Sequence, residues 1–187
     1  MGQNLNINRT GILNQIKESY GKLVYTYTTH IKCASILSKR NEIIKWFLIG
    51  FTALSTGGLF TIIFADNSLL VEIITTIITT VTLALTTYQK SSSLESRIVS
   101  HIQIHKELWR LREEFLSFLT DFDYLSDERI IEKRDYLTAR LGEVYSREPL
   151  TNSKAYKMAQ KALKSEEEQF FTEEELNLLL PKHLRSE

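Results

Sequence analysis

The chain has 187 residues, of which 43% are hydrophobic and 25% charged, and its 23 basic and 23 acidic side chains cancel. That length holds one domain, or two small ones. A single cysteine, Cys33, excludes an internal disulfide framework and a CxxC or four-thiolate metal site, and residues 1–20 are too polar for the apolar run of a cleavable signal.

The averages conceal an uneven layout. Residues 1–45 carry seven Lys or Arg against two acids, residues 46–89 carry no Lys or Arg and two acids, and residues 90–187 carry 16 basic against 19 acidic. We therefore read three parts: an amphipathic segment over 1–45, a membrane hairpin over 46–89, and a helical region over 90–187.

Residues 10–45 repeat apolar positions at helical period through Ile12, Ile16, Leu23, Tyr27, Ile31, Ala34 and Leu37, which predicts a helix leading into the membrane. From Trp46 to Ala65 come twenty uncharged residues, enough at about 1.5 Å each to cross a hydrocarbon core of roughly 30 Å. After the triplet Asp66, Asn67, Ser68, a second run of twenty residues, 69–88, makes a tight hairpin. Lys39, Arg40 and Lys45 precede the first span, Lys90 and Arg97 follow the second, and the turn has no basic residue, which puts both termini in the cytoplasm. Trp46 and Tyr88 fall at that same interface, where amphipathic rings prefer to sit.

On a helical wheel the second span separates two chemistries. Glu72, Thr75, Thr76, Thr79, Thr80, Thr82, Thr86 and Thr87 share one arc of about 160°, interrupted only by Leu69 and Leu83, while the opposite arc is aliphatic and suits lipid. Two readings of the hydroxyl arc stand. It lines water in an assembly, with Glu72 forming a cation-favouring mouth, or it is packing surface against the first span. The first span has a small-residue pattern of its own, Gly50, Ala53 and Gly57, suited to close helix packing.

Beyond the membrane, apolar residues continue at helical period through Leu94, Ile98, Ile102, His105, Leu108, Phe115, Leu119 and Phe122. Neither Gly nor Pro occurs between Leu59 and Leu141, which predicts that the second span runs onward as one stiff rod. Shorter helices follow: Ser126 to about Tyr145, one after Pro149 with Thr151 as its cap, and a last one opened by a Thr172/Glu175 capping box and stopped by Pro181. Lys154, Lys157, Lys161 and Lys164 lie within about 80° on the third of the four helices after the spans, either as a surface for an anionic ligand or acidic partner or as an ordinary solvated face.

The search for catalysis finds little. His101 and His105 are one turn apart, but Ile102 stands where a zincin helix has its Glu, and no third ligand is evident. P-loop, dinucleotide and nucleophile-elbow motifs are missing, and Asn6 stands where a myristoylation signal has a hydroxyl residue. We expect no enzyme, no metal and no cofactor.

The order of features, namely a basic amphipathic helix, a two-span hairpin, LWRLREEFLSFLTDF, RDYLTARLGEVY, AYKMAQKALK and a TEEELNLLLP ending, resembles the SLATT family. These are two-span effectors associated with bacterial nucleotide-signalling and reverse-transcriptase defence systems, and the chain is most similar to the subgroup ending in an acidic LLP motif. The resemblance implies an all-α inner-membrane protein with a cytoplasmic helical bundle, acting as a homo-oligomeric, pore-forming effector that arrests or kills the infected cell. It carries no catalytic or ligand residue. It also implies activation through a separately encoded sensor, nucleotide synthase or reverse transcriptase, with no direct nucleic-acid contact. The rival expectation is a non-conducting membrane anchor that recruits a soluble defence enzyme.

Overall fold

In the computed structural model, residues 8–64, 69–166, 168 and 171–185 are described, so the hairpin turn Asp66–Asn67–Ser68 and Asn6 lie outside the described residues. Among the described residues the secondary structure is helical throughout. Helix α1 runs Arg9–Phe64, α2 Leu69–Ser91, α3 Leu94–Asp121, α4 Asp127–Ser146, α5 Ser153–Lys164 and α6 Glu173–Leu179, with single 3-10 turns at Phe122–Tyr124 and Lys182–Leu184. The amphipathic segment and the first span are one unbroken helix, α1, because nothing around Lys45 interrupts the hydrogen-bond ladder.

The chain divides into two compact units, residues 33–103 and the remainder on either side of them. In the terminal unit, α3 presents Ile104, Leu108, Leu111, Phe115 and Phe118 at alternating steps of four and three, the spacing that keeps one seam facing a partner helix. Against that seam pack Ile12, Ile16, Leu23 and Tyr27 of α1 and Ile130, Leu137, Leu141 and Val144 of α4, all buried. Helix α5 adds Leu163 and the small Ala155, Ala159 and Ala162, which let it lie close. The helical stripe expected on α1 is therefore a core face, with Ile31 half-buried at its edge.

The ends of these helices are tied by polar contacts. Ser126 caps α4, and Arg9 donates from Nε to Asp127 Oδ1 at 2.8 Å and from Nη2 to the Leu125 carbonyl, satisfying the chain just before that helix. The α5 cap is Asn152 rather than Thr151: its Oδ1 accepts the Ala155 amide at 2.9 Å, which only the residue three before can reach in this geometry. The α6 capping box of Thr172 and Glu175 forms as expected. Ser93 overturns the expectation of a continuous rod. Its backbone is left-handed, φ 48°, and separates α2 from α3. Three consecutive serines, whose hydroxyls compete for backbone carbonyls, break the helix without any help from Gly or Pro.

At the centre of the terminal unit, Tyr27 stands edge-on to Trp109 at 5.7 Å, and its carbonyl is 3.1 Å from His105 Nδ1. His30 is fully buried, with Nε2 3.2 Å from Glu148 Oε2. Burial lowers the His30 pKa below the usual histidine value, and the Glu148 carboxylate pulls it partly back. Below the ordinary histidine value of about 6.5, the unfolded chain then binds a proton that the folded chain resists, so stability falls as pH drops through that range. Denaturant unfolding of the detergent-solubilised protein between pH 7.5 and 5.5 should show this loss, with a slope approaching about 1.4 kcal/mol per pH unit. His30→Gln should flatten the slope, and parallel pH profiles for the two proteins would exclude His30 as its source.

Candidate transmembrane assembly face

The central unit contains the hairpin. Along α1 the sheltered positions are Asn41, Ile44, Leu48, Phe51, Ser55, Gly58 and Ile62, and along α2 they are Val71, Thr75, Ile78, Thr82, Leu85 and Gln89, with Glu72 half-buried beside them. Both sets alternate steps of three and four, the pattern of two antiparallel helices meeting along one seam. The closest approach is at Gly58, where an added Cβ would lie 2.2 Å from Thr75 Oγ1. Only a residue without a side chain admits Thr75, which is 5% exposed.

The predicted small-residue face lies elsewhere. Gly50, Ala53 and Gly57 are exposed, about 150° around α1 from the seam, and a Cβ at Gly50 or Gly57 would meet nothing within 4 Å. Among the described residues, the space beside Gly50 and Gly57 on that face is open. Gly58, one residue from the pattern, is the glycine the hairpin uses; its sequence signal is the 3,4 spacing with Phe51, Ser55 and Ile62.

The hydroxyl arc of α2 divides in the same way. Thr75 and Thr82 turn toward the seam, Glu72 is half-buried, and Thr76, Thr79, Thr80, Thr86 and Thr87 remain exposed around Leu83. None of the last five has a dangling donor. Thr76, Thr79, Thr80 and Thr86 donate to the carbonyl four residues earlier at 2.8 Å, and Thr87 does so at 2.9 Å. Each oxygen keeps acceptor capacity while its proton is satisfied inside the helix. Most of the remaining hairpin surface is apolar and open: Phe47, Ile49, Leu54, Phe60, Ile63, Leu70, Ile74 and Ile77 are each more than half exposed, and the exposed Thr56 and Thr61 of α1 likewise donate to carbonyls four residues earlier. An apolar belt of this extent around two helices is the surface of a membrane span.

At one end of the belt the chain changes character. Arg40 stacks over the Tyr88 ring at 5.5 Å and donates to its hydroxyl, and Trp46 stands 72% exposed. Lys45 Nζ donates to Glu95 Oε1 at 2.7 Å, and this bond, with a longer one from Asn41, holds the Glu95 carboxyl below its usual pKa. Sequence reasoning misses the Asn41–Lys45–Glu95 contact, since it joins residues about fifty apart whose types are ordinary for a surface.

The four lysines of α5 belong to the terminal unit and point outward. Lys161 pairs with Glu166 Oε1 at 2.5 Å, and Lys154, Lys157 and Lys161 with Met158 and Ser153 border an open groove of about 490 Å³. His101 is buried and His105 half-buried, with the His105 ring engaged at the Tyr27 carbonyl. Among the described residues, no three His, Cys, Asp or Glu side chains gather as a metal site would require.

Residues 12–175 match the family described as the SMODS and SLOG-associating 2TM effector domain, family 4. The chain belongs to this SLATT family. The match spans the helix before the membrane, both spans and the following helices through the first residues of α6. No curated protein and no solved structure matches it. As a SLATT protein with two exposed apolar spans, the chain is a membrane effector of defence systems.

The seam makes a direct prediction for this SLATT hairpin. Gly58→Ala should lower stability in detergent by about 1–3 kcal/mol through overpacking against Thr75, whereas Gly57→Ala, facing open space, should be neutral or stabilising by up to about 1 kcal/mol. Thr75→Ala should restore Gly58→Ala. Equal melting of the two glycine variants would refute the seam.

Proposed function

We propose that this SLATT protein assembles through its spans into a ring in the bacterial inner membrane, with both termini cytoplasmic, and that the exposed Thr face of α2 encloses a water-filled path. Opening of that path permeabilises the membrane of a phage-infected cell and arrests it. One observation carries the reading. Five threonines of α2 lie on a surface that the chain's own first span leaves uncovered, with the half-buried Glu72 at its edge, on a helix whose other exposed side chains suit lipid. Ionisable residues within spans usually face water or a partner, and Glu72, one turn inside the outer end, places charge at the mouth. The open small-residue face of α1 offers the neighbouring copy a close approach.

The protein itself performs no chemistry in this account. Its trigger is a separately encoded partner of the kind its family name associates with it, and the family is named for association with SMODS and SLOG proteins. The partner acts on the helices outside the membrane, where the α5 lysines provide one charged surface for it.

Ion flux through liposomes holding the purified protein tests the reading. Thr79→Leu should place an apolar ring in the lumen and cut flux about tenfold, equivalent to roughly 1.4 kcal/mol on the permeation barrier. Glu72→Gln should leave assembly intact and weaken cation preference. Ile77→Leu, on the lipid-facing arc and similar in volume, should change little. Flux that survives Thr79→Leu and is lost in Ile77→Leu, or no flux from any variant, favours the non-conducting anchor.

A further inference from the structure

The break between α2 and α3 owes nothing to Gly or Pro, since neither occurs from Leu59 to Leu141. Among the described residues, Ser93 is the one non-glycine residue with positive φ, a conformation in which the Cβ crowds the following carbonyl. Helices that end through such a residue ordinarily use Gly or Asn. Here the cost is offset locally. Ser91 Oγ donates to the Tyr88 carbonyl and Ser92 Oγ to the Gln89 carbonyl, each at 3.1 Å, covering acceptors at the end of α2. On the far side the Arg97 amide donates to the Ser93 carbonyl at 3.0 Å and α3 begins, with Leu94 buried.

A second set of contacts reaches the joint from α1. Lys45 and Asn41 both donate to Glu95, two residues beyond Ser93. The Lys45–Glu95 pair is solvent-exposed, so it holds the joint only weakly. Asn41 is 7% exposed, and its Oδ1 accepts no hydrogen bond. The joint is not wedged in place. A cavity of about 370 Å³ lies beside it, bordered by Asn41, Thr86, Gln89, Ser93, Glu95 and Ser96. A strained residue, exchangeable hydroxyl caps, a weak ion pair and free volume together describe a device with two arrangements.

We infer that Ser91–Ser93 is a two-state joint: the broken form seen here is held by the Lys45–Glu95–Asn41 clasp, and the other form is one continuous helix from α2 into α3. The continuous form relieves the left-handed residue and lets the amides of Leu94, Glu95 and Ser96, which lack intrahelical partners in the first turn of α3, bond to carbonyls of α2. The broken form is the resting one and release of the clasp is the activating step. That assignment of rest and activity depends on the conducting reading above; the conformational equilibrium does not.

Hydrogen exchange of the Leu94–Ser96 amides, measured on the full chain in nanodiscs, follows the joint directly. Ser93→Gly removes the left-handed penalty and should hold the broken form. Combined Ser91→Ala, Ser92→Ala and Ser93→Ala removes the hydroxyl caps, retains the penalty and favours helix, so these amides should exchange at least about fivefold more slowly than in Ser93→Gly, after correction for intrinsic rates. Glu95→Gln, which loses the ion pair, should shift the same way as the alanine variant. Equal exchange in the glycine and alanine variants, or the reverse order, overturns the joint. In liposomes the alanine variant should conduct more than wild type and Ser93→Gly less. If exchange shifts as stated and no variant conducts, the joint stands and the conducting reading falls. If all variants conduct alike while exchange shifts, the regulatory role is overturned.

Discussion

Inside a bilayer no water is available to satisfy a stray donor, so a lipid-facing hydroxyl is costly unless it finds its acceptor in the protein. In α2 the five exposed threonines meet that requirement alone, each donating to the carbonyl one turn earlier. The helix can enter lipid with its polar face uncovered, and the same oxygens still accept hydrogen bonds from water once a lumen forms. A Ser or Asn face would do this less completely. The β-branched side chain of Thr shields the bonded oxygen with a methyl group, and Asn carries two donors that one carbonyl cannot satisfy. The hydroxyl stripe is thus compatible both with a chain in lipid and with the proposed assembly around water.

The same constraint accounts for the way the hairpin holds together. Between two spans there is little hydrophobic gain, because lipid is as apolar as the side chains, so close packing must supply the association. Gly58 and Thr75 provide it at one point, and the three-and-four spacing of sheltered residues extends it along both helices. At the basic end polar contacts join the helices, where Arg40 meets Tyr88 and Lys45 meets Glu95. In the terminal unit water is present and the ordinary rule returns: large apolar side chains from α1, α3 and α4 close a core, and the buried His30 has Glu148 as its partner.

Periodicity alone makes most of the helices legible, because burial on one face leaves a 3.6-residue signature in the residues themselves. Ile12, Ile16, Leu23 and Tyr27 share one face by their spacing, and they form one side of a core. Capping chemistry places Ser126 and Thr172, but between neighbouring Thr151 and Asn152 it cannot choose, since both are good caps and only backbone geometry decides. The wheel separates hydroxyl from aliphatic residues in α2, yet it cannot say which edge of the arc meets the first span; that depends on the partner helix. For the same reason it favours Gly50, Ala53 and Gly57 over Gly58. The joint at Ser93 is hidden because the usual helix breakers are absent, and serine runs break a helix only when their hydroxyls find carbonyls to cap.

The central claim is that water, and not lipid, meets the Thr face of α2 in the active assembly. Cysteine accessibility under current measures that directly. In a Cys33→Ala background, single cysteines at Thr76, Thr80 and Thr87 are compared with single cysteines at Ile73, Ile77 and Ala84, in planar bilayers, using a charged thiol reagent while conductance is recorded. Modification at each of the three Thr positions should change the current, and modification at the three aliphatic positions should not. Current altered from the aliphatic arc with the Thr arc silent would contradict it.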